Sequence, residues 1–163
     1  MAITLEEAKS IVEDYKKSHF VTEFDSNVVE QEKFWYFRVG FVGSSGVIVN
    51  KFDGRLFVMG SGLSNEEMFW GHENGFSPDK VDIEIFEVNN PLKVSGMVGA
   101  LLVQLGKAPS HPNRAAREIA RELIKELPQK FHGVSLWLQI PWFIEAVEQN
   151  WLTYKINEHR ANT

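Results

Sequence analysis

Five histidines are the first residues to weigh for chemistry: His19, His72, His111, His132 and His159. No two stand at i, i+3 or i, i+4, so no helix offers a pair of imidazoles to one metal ion. His72-Glu73 begins like a zinc-protease motif, but no second histidine follows at the required spacing. Cysteine is absent, which removes disulfides, thiolate nucleophiles and cysteine-based zinc sites. Ser44 and Ser45 lie in a Gly-Ser-Ser-Gly run. That run is not the G-x-S-x-G elbow, and it leads into a strand rather than a helix. A serine, a histidine and an aspartate can still meet in space, because a triad needs no local spacing. Asp82, Glu84 and Glu87 bring carboxylates close together, as acid–base catalysis requires. On an alternating strand such residues are ordinarily its wet side. Gly96-Met97-Val98-Gly99 lacks the strand and the lysine of a phosphate loop, and no glycine fingerprint for a dinucleotide occurs. The residue types and spacings therefore lead us to expect no enzyme, no metal and no cofactor.

The elements that carry these residues can be read from periodicity and capping. The stretch from Phe34 to Gly62 organises the rest. Trp35, Phe37, Val39 and Phe41 alternate with Tyr36, Arg38 and Gly40, which predicts a strand with one buried face. A turn is expected at Ser44-Ser45-Gly46, then a β-branched strand at Val47-Ile48-Val49. Asp53-Gly54 supplies a tight turn, since glycine tolerates the positive φ it needs. Leu56 to Met59 returns as a third strand. Before this meander, Thr4 and Glu7 form a capping box for a helix ending near Ser18, with Ala8, Ile11, Val12 and Tyr15 on one face. Phe20 to Phe24 reads as extended, and Val28 to Glu32 as the start of a strand or the lead into the meander. After the meander, Ser64 and Glu67 cap a short helix from Asn65 to about His72, stopped by Asn74-Gly75.

From residue 81 the order reads β-α-α-β-α-β. Val81, Ile83 and Ile85 share one face of a strand. Asn89-Asn90-Pro91 is a turn whose proline suits a helix start, and Leu92 to Leu105 after it is rich in small residues, which permit close helix packing. Arg114 to Leu127 is amphipathic, with Ala116, Ile119, Ala120, Leu123 and Leu127 inward. Val134 to Leu138 alternates as a strand. Pro141 opens a helix bearing Phe143, Ile144 and Val147, Asn150 stops it, and Trp151 to Ile156 closes as a strand. The fold class expected is α+β: an N-terminal helix on an antiparallel β-meander, then a β-α-α-β-α-β second half. A boundary near residues 76–80 separates residues 1–78 from 79–163, as two domains or as halves packed into one unit.

The chain has 163 residues, 44% hydrophobic and 24% charged, enough apolar content for a core. Its longest apolar run, Met97 to Leu105, is about half of the roughly 18–20 residues that a membrane span needs. The opening MAITLEEAKS lacks the basic-then-apolar pattern of a secretory signal, so cytoplasmic residence is expected. The net charge is −5. Residues 1–80 hold 13 acids and 8 bases, whereas residues 81–163 hold 9 of each. An acidic first half disfavours nucleic acid and suits a basic partner. The interleaved Glu residues of 114–127 likewise cancel a basic patch there.

The first half resembles the immunity protein 35 family of bacterial toxin–antidote systems. The likeness rests on the opening helix LEEAKSIVEDYKK and the aromatic strand FWYFRVGF. It continues through the strand-Lys-x-x-Gly hairpin GVIVNKFDG, the closing GSG and the helix start LSNEE. It covers about residues 3–70. The second half is similar only in element order to the C-terminal domain of the bacterial ribosomal stalk protein, and element order carries no function. The family resemblance implies an immunity protein that neutralises a cognate toxin by protein contact, without catalysis or cofactor, and that is a monomer before binding. A non-catalytic adaptor module, or a small enzyme without a recognisable motif, is the alternative. The partner-binding residues expected are Glu66, Glu67 and Glu73 as a charged rim, with Phe69, Trp70, His72 and Phe76 beside them. Core packing is the plainer role for Phe69 and Trp70.

Overall fold

The computed structural model describes residues 2–19, 24–39, 44–60 and 62–160. The chain is α+β and divides into two compact units, Met1–Glu73 and Asn74–Thr163. The division lies close to the expected boundary. Phe76 belongs to the second unit, where it packs edge-on against Phe143 with ring centroids 4.9 Å apart.

The first unit begins with α1, Leu5–His19. Its capping box forms as expected: the Thr4 amide donates to Glu7 Oε2 at 2.7 Å, and the Glu7 amide to Thr4 Oγ1 at 3.2 Å. Four strands follow: β1 Phe24–Glu30, β2 Phe34–Val39, β3 Ser44–Asn50 and β4 Leu56–Gly60. They pair in sequence order as an antiparallel meander. β1 settles the question left open at Val28 to Glu32, because Val28 and Val29 pair with Phe37 and Tyr36. Gly40 and Phe41 lie outside the described residues. The turn expected at Ser44-Ser45-Gly46 falls inside β3, where a register shift separates Ser44 from Gly46. Gly46 has φ +155°, and a Cβ there would come within 2.4 Å of the Phe37 carbonyl. Only a residue without a side chain fits that close strand approach.

The sheet buries both faces, whereas alternation predicted one. Phe37, Val47 and Val49 meet Ala8 and Val12 of α1 on one face. On the other face Phe34 and Tyr36, both buried, meet α2, Asn65–Glu73. Phe34 and Tyr36 lie 5.3 and 4.8 Å from the Phe69 ring. Both phases of FWYF are aromatic, so each face can be covered.

The second unit runs β5 Val81–Val88, α3 Pro91–Gln104, α4 Asn113–Leu123, β6 Gln129–Val134, a 3₁₀ turn at Trp137–Gln139, α5 Ile140–Glu148 and β7 Leu152–Glu158. The β-α-α-β-α-β order is as expected. The sheet order is β6-β5-β7, all antiparallel, with β5 central. Close helix packing occurs at Gly99, where a Cβ would stand 3.2 Å from the Ala116 backbone. Two readings need correction. The strand expected at Val134 to Leu138 lies earlier, because Gln104 takes both backbone groups of Ser135. Its Oε1 accepts from the Ser135 amide at 2.8 Å, and its Nε2 donates to the carbonyl at 3.0 Å. The amphipathic helix stops at Leu123, and Ile119 is exposed while Ile124 is buried. Asn150 does stop α5, at φ +54°.

Candidate functional site

The expected partner-binding residues fall on α2 and just beyond it. Ser64 and Glu67 form the second capping box: the Ser64 amide donates to Glu67 Oε1 at 3.0 Å, and the Glu67 amide to Ser64 Oγ at 3.1 Å. Glu67 is therefore committed to its own helix start. Glu73 is tied to the turn before β2. Its Oε1 accepts from the Lys33 amide at 3.1 Å, and its carbonyl accepts from Lys33 Nζ at 2.6 Å. Phe69 lies on the sheet with Phe34 and Tyr36, and Phe76 is 2% exposed in the second unit. Glu66 is exposed and Trp70, one helical turn on, is partly exposed. These two remain as surface on α2.

His72 is buried between Phe34 and Phe57, with ring centroids at 4.9 and 5.5 Å. Asn50 uses its Oδ1 to accept from the Phe52 and Asp53 amides. Its Nδ2 is then left to face His72 Nε2, at a long 3.5 Å. In that arrangement the imidazole carries its proton on Nδ1, which is buried with no hydrogen-bond partner. Burial holds the pKa of His72 down to about 4, with Lys33 acting in the same direction and Asp53 against it. His72 is a neutral core residue at physiological pH.

The second unit assembles a cluster that no local spacing announced. Asp82 sits on the central strand. Opposite it, β6 carries a bulge: Val81 pairs with Val134 and Ile83 with Phe131, so His132 and Gly133 both stand against Asp82. Gly133 takes φ +67°, and its amide donates to Asp82 Oδ1 at 2.8 Å. His159, just past β7, places Nδ1 2.8 Å from the same oxygen. His132 places Nδ1 3.2 Å from Oδ2. Partial burial pushes the Asp82 carboxyl up. The Gly133 amide and then the two imidazoles outweigh it and hold the pKa below the ordinary carboxylate value. With Nδ1 directed at the carboxylate, each ring turns its Nε2 away from Asp82. Asp82, His132, Glu158, His159 and Arg160 line an open cleft of about 500 Å³. Asp82 was weighed with Glu84 and Glu87, and it is the pairing across β6 and β7 that singles it out. His132 and His159 both reach Asp82 because β5 lies between β6 and β7. Among the described residues no group of three or more His, Asp or Glu could hold a metal ion, and no helix is long and apolar enough to cross a membrane.

No family model matches the chain, and no curated protein or solved structure matches it.

Proposed function

We propose that the protein is a cytoplasmic immunity protein that binds a cognate bacterial toxin and neutralises it by protein contact, with the outer side of α2 in the interface. The observation that carries this reading is the pairing of partly exposed Trp70 with exposed Glu66 one helical turn away. An amphipathic aromatic ring beside a charged rim is the usual anatomy of an interface anchor. The acid excess of the first half supports a basic partner surface. The helix-on-meander architecture of the first unit is also the one the family resemblance implies.

The test is co-expression with the product of the neighbouring upstream gene, which this reading requires to be toxic, scored for growth and followed by binding measurements. The protein should restore growth. Trp70→Ala should weaken binding by about 2 kcal/mol or more while leaving most of the folding stability intact. Glu66→Gln should slow association at low salt and have little effect at high salt. Glu67 and Glu73 are unsuitable for this comparison, because each has a structural bond to lose. No rescue of growth, or unchanged binding in Trp70→Ala, would remove this reading.

A further inference from the structure

The cleft at the edge of the second unit has no part in that reading, and its chemistry is specific. Two imidazoles and a guanidinium, from His132, His159 and Arg160, share one open wall. Asp82 carries a negative charge, which by itself repels an anion. Its oxygens, however, are already engaged by the Gly133 amide and by both Nδ1 atoms, at 2.8, 2.8 and 3.2 Å. The carboxylate acts instead as the part that aims the rings. With Nδ1 held by the carboxylate, the remaining donor of an imidazolium at either position is its Nε2–H. Arg160 adds a planar fork of donors, the geometry that suits phosphate oxygens. The guanidinium also disfavours a cation in the same place. The volume, about 500 Å³, lies in the range of small-molecule sites and exceeds what a bare oxyanion fills.

We propose that Asp82, His132, His159 and Arg160 form a binding site for a small molecule bearing a phosphate monoester or like tetrahedral dianion. His132, His159 and Arg160 supply the donors, and Asp82 is a positioning residue. Glu158, like Asp82, is an opposing charge on the cleft wall. Donation from either Nε2 requires the imidazolium form, because Nδ1 carries the proton of the neutral ring that faces Asp82. The charged and titratable groups that line the cleft are Asp82 from β5, His132 from β6, and Glu158, His159 and Arg160 from the end of β7. Gly133 is part of the construction. A Cβ there would stand 3.3 Å from the His159 ring, at a φ that disfavours any other residue.

The experiment is a titration of the full chain with sulfate and with inorganic phosphate, read on the histidine ring signals by NMR at constant ionic strength. Sulfate keeps its double charge across the range, so its affinity reports the protonation of the protein alone. The signals of His132 and His159 should shift saturably, with that of exposed His111 unmoved. Sulfate should bind more tightly at pH 6 than at pH 8, since only the imidazolium form offers an Nε2–H donor. Phosphate should compete for the same signals. Arg160→Gln, an exposed position, should weaken binding about tenfold, and Glu158→Gln should tighten it several-fold. Asp82→Asn should weaken binding, because the rings then lose the carboxylate that holds them through Nδ1. A shift of all three histidines together, an unchanged affinity in Arg160→Gln, or a response to zinc but not to sulfate would overturn the proposal. So would a single-stranded oligonucleotide binding far more tightly than phosphate, since that would make the cleft part of a nucleic-acid surface.

Discussion

A buried histidine with an orphaned ring nitrogen has a measurable signature. His72 is uncharged in the folded chain because its pKa is lowered from 6.5 to about 4. The unfolded chain therefore takes up a proton at a higher pH than the folded one. Stability from this residue is complete above pH 6.5 and is lost as pH falls toward 4. Between pH 7 and pH 5 the loss is about 2 kcal/mol. Replacing His72 with Phe removes the titrating group and the unsatisfied Nδ1 together, and a benzene ring can keep the edge contacts with Phe34 and Phe57. The expected result is a variant as stable as the parent at pH 7 and more stable at pH 5, by denaturant melts at both values. An equal loss in parent and variant would mean that His72 is not the group responsible. Asp82 differs in kind: it stays charged and uses its charge to hold two other side chains, so its partners define it rather than its burial.

The β3–β4 hairpin is the best-determined element of the first unit. Asn50, Asp53 and Gly54 each have a separate task. Asn50 Oδ1 accepts from the Phe52 and Asp53 amides, Asp53 Oδ1 accepts from the Arg55 amide at 2.9 Å, and Gly54 has φ +70°. Lys51, in the same turn, is buried. Its Nζ lies 4.5 Å from the centre of the Trp35 ring and 2.8 Å from Glu30 Oε1, and its carbonyl accepts from the Ile3 amide at 2.7 Å. One turn thus joins the chain before α1 to three strands. Gly54→Val should cost about 2 kcal/mol, since a β-branched residue is strained at that φ. Its Cβ would also stand 3.3 Å from Ile11 Cδ1 on α1. Thermal unfolding of the variant checks this; an unchanged midpoint would show that the turn can adopt another conformation at little cost. The bulge at His132-Gly133 is the corresponding device in the second unit. It adds one residue to β6, and that extra residue turns an amide and an imidazole onto the central strand.

For the whole chain, charge sets the expected partner and the buried cores set the expected stability. The acids exceed the bases only in the first half, so that half should attract a basic partner. Each unit has its own buried core: Phe37, Val47 and Val49 in the first, Phe76, Phe143 and Ile83 in the second. Among the described residues no cluster could supply folding energy through a metal. The protein should therefore sediment as a monomer of 18.7 kDa, and chelator should leave its thermal midpoint unchanged. A fall of several degrees with chelator would reveal a bound ion, and a concentration-dependent mass would reveal self-association.

Local rules determined a large part of this molecule. The two capping boxes, the Asp53-Gly54 turn, the stop at Asn150 and the α-β order of the second half all depend on groups a few residues apart. The bonds that satisfy a helix start or a tight turn are made between such neighbours. What the tertiary structure decided are the matters that involve residues far apart in the chain. Whether the second aromatic phase of FWYF faced water or a helix depended on where α2 came to lie. Ser135 left the strand because the distant Gln104 offered its backbone two hydrogen bonds. The Asp82 cluster is the clearest case, since a carboxylate on an alternating strand looks like its wet side until the neighbouring strands are known. Sheet order brought His132 and His159 to either side of β5, and a one-residue bulge chose which side chains met the carboxylate. Neither strand order nor a bulge leaves a periodic mark in the sequence, because both arise from hydrogen bonding between segments that the chain brings together only on folding.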